Sequence, residues 1–233
     1  MGLNTKTKKQ YIEKAFWGVL AVLATIFLLK TASWEDSYYT RMEGTDRAVA
    51  VSSAPAVEEI EIDETEPTEE EVKNWAATLP EKSYPAYITI DALHAIGRQV
   101  IPIGVTANGS LDTPRNVYQI GWYKYSSAPG EGGTLVLDGH NGGPNVEGIL
   151  KHLPDVAIGE HIYIENADGE SFSYRVVENI SVPLAESDAY MRTAFSSPVP
   201  GQESLTIITC TGEWSQVRGT YLSRQFLRAV LEN

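Results

Sequence analysis

The chain has 233 residues, with 31 acidic against 18 basic side chains, a formal charge of −13, four histidines and one cysteine. Its lysines cluster in the first 14 residues and no basic patch follows, which excludes a nucleic-acid surface. A single cysteine excludes a disulfide framework within the chain.

Residues 1–14, MGLNTKTKKQYIEK, form a basic tail. Ala15–Leu29 follows without a charge, fifteen residues where about 20 are needed to cross a hydrocarbon core. Lys30 can snorkel its ammonium to the interface, extending the span to Trp34 at headgroup level. Residues 15–34 therefore read as a signal-anchor helix. Lysines before the span and Glu35 and Asp36 after it put the N-terminus inside and the rest of a single-pass protein outside. A cleaved signal peptide is the competing reading, but no A-x-A site precedes Trp34.

Residues 35–79 read as an acidic, disordered stalk. Val57–Glu71 holds nine acids and no base, and like-charge repulsion with few large apolar groups favours a solvated spacer. From 80 to 233 the composition turns β-branched and aromatic, enough chain for one domain with its own core.

This domain reads as all-β. Strands are expected at Ala86–Ile90, Val100–Val105, Gln119–Tyr123, Thr134–His140, Glu160–Asn166, Phe172–Val182, Leu205–Cys210 and Arg224–Leu231, with Gly- and Pro-rich turns between them. Such spacing predicts a sandwich or barrel. Val146–Pro154 has helical spacing of Ile149, Leu150 and Leu153, and DALHAIGR is a weaker helix candidate. Pro183–Ser204 is too long for a simple hairpin loop, so it carries function or a small helix.

Cys210 closes the run LTIITC and is followed by Thr-Gly. An exported lone thiol can join another chain, pack inertly or act as a nucleophile. A strand end facing a loop favours the nucleophile. That role needs a base, and among His94, His140, His152 and His161 only His140 ends a strand, TLVLDGH, before a glycine-rich loop, NGGPN. The other three are read as ordinary polar residues. Oxyanion stabilisation calls for positive charge, and Arg224 returns near Cys210 if the two strands form a hairpin. Arg218, in the connection, is the rival.

These elements together resemble the sortases, membrane-anchored cysteine transpeptidases of the bacterial surface. TLVLDGHNG, LTIITCTG and the following arginine resemble that family's His, TLxTC and Arg elements. The run LDTPRNVYQIGWYKYSSAPGEGGTLVLDGH, with TCTGEWSQVRGTY, is similar to the class F subgroup. The resemblance covers nearly all of Pro80–Leu231. It implies a closed eight-stranded β-barrel with one or two short helices, preceded by the membrane helix and stalk. It also implies that the Cys210 thiolate attacks an LPxTG-like sorting signal, that His140 protonates the departing amine, and that Arg224 steadies the oxyanion. An amine of a peptidoglycan precursor or a pilin would then resolve the thioacyl enzyme. Thr209 matches the family's Thr and is expected to help shape the substrate groove, while the specificity loop falls on Pro183–Ser204. The implied location is the bacterial plasma membrane, with the C-terminal domain extracellular.

The chain departs from the subgroup pattern at LSR before Arg224 and at Thr211–Gly212 after the cysteine. No cofactor or metal is expected, since no acidic cluster matches the calcium site of some sortases. An L,D-transpeptidase would carry an SHGC-like motif, where this chain has Ile208-Thr209. A non-catalytic exported β-barrel binding module is the remaining alternative.

Overall fold

The computed structural model describes residues 61–107 and 109–232. The expected basic tail, signal-anchor helix and first part of the stalk lie outside the described residues.

Eight strands close into a barrel: β1 (Pro85–Ile90), β2 (Ala95–Ile103), β3 (Ile120–Tyr123), β4 (Thr134–Asp138), β5 (His161–Asn166), β6 (Ser171–Pro183), β7 (Ser204–Ser215) and β8 (Thr220–Leu231). Their order around the wall is β1-β2-β3-β4-β7-β8-β6-β5. The pairs β2–β3 and β4–β7 are parallel and the others antiparallel. Alternating side chains explain the barrel: one set fills the interior, where Ile88, Ile120, Leu135, Leu137, Ile162, Ile164, Tyr174, Leu205, Ile207 and Leu227 are fully buried. A closed wall leaves no unpaired strand edge.

The second set on β4, β7 and β8 includes Val136, Ile208 and Phe226, which another layer covers. The long Pro183–Ser204 connection holds a helix, α2 (Leu184–Met191), which runs into a 3-10 turn, Arg192–Phe195. Ala194 of that turn is buried against Val136, Ile208, Phe226 and Val182 on the outside of the barrel. Tyr190 packs on Phe226 with ring centroids 4.7 Å apart.

Three local expectations change. Val146–Pro154 is not an α-helix. Its apolar residues are real core, with Leu150 and Leu153 fully buried, but they sit in turns and a 3-10 segment, Leu153–Asp155. Gly148 is drawn off by its N–H bond to the Asn141 carbonyl (2.9 Å), and Pro154 has no N–H to extend a helix. DALHAIGR likewise gives only a 3-10 turn, Asp91–Leu93, ended by His94 at φ 53°, with β2 starting at Ala95. Finally, β7 does not stop at Cys210 and β8 does not start at Arg224: both run on into a hairpin, with Trp214 opposite Tyr221.

The solvated stalk expected through residue 79 gives way to ordered chain from residue 61. The short helix α1 (Glu69–Asn74) opens on a capping box, with Thr68 Oγ1 accepting from the Glu71 N–H and the Glu71 carboxylate accepting from the Thr68 N–H. Glu69, Glu70 and Glu71 occupy its first turn, where the helix dipole favours negative charge. The acids that argue for a spacer thus support a helix start. Beyond it, Trp75 donates its indole N–H to the Val100 carbonyl at 3.0 Å, and the Tyr87 hydroxyl donates to the Val72 carbonyl at 2.7 Å. One indole and one phenol tie the helix to the barrel.

Candidate active site

Register decides which side chains share a face. On β7 and β8, Ile208 lies opposite Phe226 and Cys210 opposite Arg224. No register shift intervenes until after Thr211, so Cys210 and Arg224 stand on the outer face with Ile208 and Phe226, one pair further along. On the other side of β7, Asp138 of parallel β4 is level with Ile208. The chain continues alongside β7 past the last strand residue: Gly139 N–H donates to the Ile208 carbonyl at 3.2 Å, and the Thr209 hydroxyl donates to the Gly139 carbonyl at 2.7 Å. The next residue is His140. Cys210 and Arg224 thus form one cross-strand row, and His140 follows Gly139, which is bonded to both Ile208 and Thr209 of β7.

Thr209 points the opposite way from Cys210 and is 1% exposed. Its hydroxyl is committed to Gly139, so any part it has in shaping a groove is exerted from beneath. It acts on the site through the residue that precedes His140. Gly212, at φ 83°, sits where the β7–β8 register shifts between Thr211 and Trp214. Its left-handed backbone is one that glycine adopts without a Cβ penalty, and bulges of this kind re-aim chains beside active sites.

The imidazole of His140 is anchored at Nε2, 2.7 Å from the Pro114 carbonyl oxygen. A carbonyl only accepts, so Nε2 carries the proton and Nδ1 is the nitrogen whose protonation changes. Burial lowers the His140 pKa, opposed by the Pro114 hydrogen bond. The half-buried Cys210 thiol is pushed up by burial, with Arg224 pulling it down and Asp138 pushing it up further. Both shifts favour the neutral pair, thiol and imidazole, at rest.

Arg224 is held to the beginning of its own strand. Nη1 donates to the carbonyls of Tyr221 (3.1 Å) and Ser223 (3.0 Å), and Nη2 to the Thr220 hydroxyl at 3.1 Å. Arg218 lies at the exposed tip of the β7–β8 hairpin, its N–H bonded to the Ser215 carbonyl at 3.2 Å. The register thus brings Arg224, and not Arg218, to the cysteine.

The other histidines are elsewhere. His152 stands exposed between Glu147 and Asp155, and His161 bonds Glu232 at 2.9 Å. Among the described residues, no group of three or more His, Cys, Asp or Glu side chains converges to hold a metal.

Asp138 is the site residue that sequence reasoning passes over. Burial raises its pKa to about 7, against a hydrogen bond from Thr113 and the attraction of Arg224. A signal existed: it is the one charge in the run TLVLDGH, two residues before the histidine. Within an apolar strand, such a charge marks either a strand end or a working group.

Comparison with known proteins follows the same lines. A family model described as a sortase domain matches residues 88–232. No curated protein matches the chain. Similar solved structures include a sortase D5 transpeptidase of Clostridium perfringens, 21% identical, covering 72% of this chain and 90% of that one with a TM-score of 0.44. Sortase A of Corynebacterium diphtheriae, a lid mutant, is 24% identical over 70% of this chain and 77% of that one, with a TM-score of 0.46. Sortase C1 of Streptococcus agalactiae is 22% identical over 72% and 78%, with a TM-score of 0.48.

Proposed function

The chain belongs to the sortase family of cysteine transpeptidases, and on that premise we propose that Cys210, His140 and Arg224 transfer a protein from an LPxTG-like sorting signal to an amine. The observation that supports this reading is the cross-strand row of Cys210 and Arg224, with His140 following a segment that is bonded to β7 just before the cysteine. An enzyme of this family has no need of a non-catalytic binding role, and that alternative is set aside.

The Cys210 thiolate attacks the carbonyl carbon of the residue before the scissile bond. A sulfur–carbon bond forms and the carbonyl electrons move onto oxygen. Arg224 stabilises that oxyanion with the N–H groups that its three bonds to Tyr221, Ser223 and Thr220 leave free. As the carbon–nitrogen bond breaks, His140 gives the Nδ1 proton to the departing amine. The acceptor amine then attacks the thioester, His140 takes a proton from it, and Cys210 leaves as thiolate. Acceptors on this reading are amines of a peptidoglycan precursor or of a pilin. The N-terminal span would hold the enzyme on the outer face of a bacterial plasma membrane. The similarity of GWY and PGEGG to class F guides the subgroup assignment but changes no step.

Because the Cys210 pKa is raised and the His140 pKa lowered, the thiolate–imidazolium form is a minor population at neutral pH. Its fraction stays level between the two pKa values. It falls at acid pH as Cys210 holds its proton more fully, and at alkaline pH as His140 remains deprotonated. Turnover should therefore show a broad plateau, with limbs below the usual histidine range and above the usual cysteine range.

The test is release of the C-terminal fragment from a position-scanned library of LPxTG-like peptides, with an amine acceptor supplied. Wild type should release it and form the transfer product, whereas folded Cys210→Ala should form neither. No release from any peptide by well-folded wild type would overturn the proposal. Mass spectrometry of the membrane fraction tests the anchor, which requires the peptide containing Trp34 still joined to Ala15–Leu29.

A further inference from the structure

The family match begins at residue 88, yet two residues well ahead of it contact both supports of His140. Asp63 forms a parallel bridge with Asn116 in the loop before β3. Its N–H donates to the Arg115 carbonyl at 2.9 Å, its carbonyl accepts from the Val117 N–H at 3.0 Å, and its carboxylate accepts from Asn116 Nδ2 at 2.9 Å. The same loop supplies the Pro114 carbonyl to which His140 Nε2–H donates.

Glu64 grips the other support, the loop that follows His140. One carboxylate oxygen accepts from the Asn145 N–H at 2.7 Å and the Val146 N–H at 3.3 Å, and the other accepts from Asn145 Nδ2 at 2.8 Å. Those N–H bonds hold the Glu64 carboxyl below the usual carboxylate range. The gripped loop folds straight back to the histidine. Gly143 N–H donates to Val146 carbonyl at 2.9 Å, Gly148 N–H to Asn141 carbonyl at 2.9 Å, and Leu150 N–H to His140 carbonyl at 3.3 Å. Space is tight throughout: a Cβ on Gly143 would lie 2.3 Å from the Glu64 carboxylate, and one on Gly148 would lie 2.4 Å from the His140 carbonyl oxygen. Pro144 and Asn145 are exposed, so apolar packing does little to fix the loop's tip.

We propose that Asp63 and Glu64 form a clamp that sets the position of His140, with Glu64 a positioning residue for transpeptidation. Asp63 holds the segment that accepts the imidazole's hydrogen bond. Glu64 holds the segment that continues from its backbone. Adjacent residues of one strand-like segment thereby fix the ring from two sides. The proposal rests on His140 as the proton donor. A shift of about 1 Å at such a group can cost on the order of 100-fold in rate.

The experiment compares the full-length chain in membrane mimetic with Glu64→Ala, Glu64→Gln and Glu64→Asp, per active site counted by thiol titration. Expected for the first two is a fall of roughly 10- to 100-fold in kcat with KM nearly unchanged. The acid–base limb set by His140 should also move, and Glu64→Asp should restore part of the rate. Should Glu64→Ala fold poorly, Asn145→Ala removes the side-chain bond from the other partner and should lower kcat in the same manner. A kcat within about twofold of wild type in Glu64→Ala, with an unmoved pH profile, would overturn the clamp. So would a loss that disappears entirely on counting active sites, since that describes a stability effect alone. His140→Ala separates the two proposals. If that variant turns over normally, the transfer mechanism fails. If it is dead while Glu64→Ala is normal, only the clamp fails.

Discussion

Strands β4, β7 and β8 each present two faces, and the faces do different work. Inward, Leu135, Leu137, Leu205, Ile207, Leu227 and Ala229 are 0% exposed and join the main core. Outward, Val136, Ile208 and Phe226 form a smaller apolar cluster under Ala194, and one position further along the same face the residues become Asp138, Cys210 and Arg224. A period of two thus lets one strand serve both packing and chemistry. The inward face is large enough to hold the wall rigid while the outward face carries charges that packing alone would not select. If that division is correct, substitutions on the two faces should separate cleanly into losses of activity and losses of stability.

The largest effect belongs to the outward face. Arg224→Ala should lower turnover by about 100- to 1000-fold, the range seen when an oxyanion donor is removed. Its unfolding midpoint should stay near wild type, because Arg224 is only half-buried. Arg218→Ala, at the hairpin tip, should keep turnover within about twofold. A reversed pattern would move the oxyanion role to the hairpin tip and break the row.

On the inward face the order is inverted. Leu205→Ala opens a cavity in the main core at a site with 0% exposure. Its cost should be about 2–5 kcal/mol of stability, read as a lower urea midpoint with an unaltered slope. Activity per folded molecule should be retained at temperatures where the variant stays native. A dead but stable Leu205→Ala would mean that the two faces are not independent.

How much of this was readable beforehand differs along the chain. The barrel strands were, because alternation and turn chemistry are local signals: β1, β3, β5 and β6 fall within one or two residues of their sequence-derived limits. Cys210 and His140 stand out in the sequence as rare residue types after apolar runs, although Cys210 lies within β7 and His140 two residues past β4. Arg224 was ambiguous with Arg218, since only the observed hairpin register chooses between them. The direction of Thr209 turns on a related point. One residue of phase decides whether a side chain lines a groove or lies beneath it. The segment 61–79 was misread because its acids were weighed as net charge. Three of them occupy the first turn of a helix, two others accept from N–H donors, and the partners that make those bonds lie 53 and 81 residues away in sequence. Asp138 is not legible in the sequence, since nothing local says that a strand-end carboxyl will stand half-buried near a guanidinium.

That carboxyl gives the finest test of the two-face division. Burial penalises the charge of Asp138 and pushes its pKa up to about 7. Between its ordinary value of 3.8 and about 7, the folded state binds a proton more tightly than the unfolded state does. Its contribution to stability is therefore lost as pH rises through that window, and is fully present below it. Asp138→Asn removes the penalty, so the variant should gain on wild type at pH 8 relative to pH 5 in parallel urea titrations. The same carboxylate raises the Cys210 pKa. Its removal should shift the midpoint of iodoacetamide labelling against pH to a lower value, since thiolate is the labelled form. An unmoved labelling midpoint, with the stability change intact, would show a buried charge that the thiol does not sense, and Asp138 would belong with the packing rather than with the chemistry.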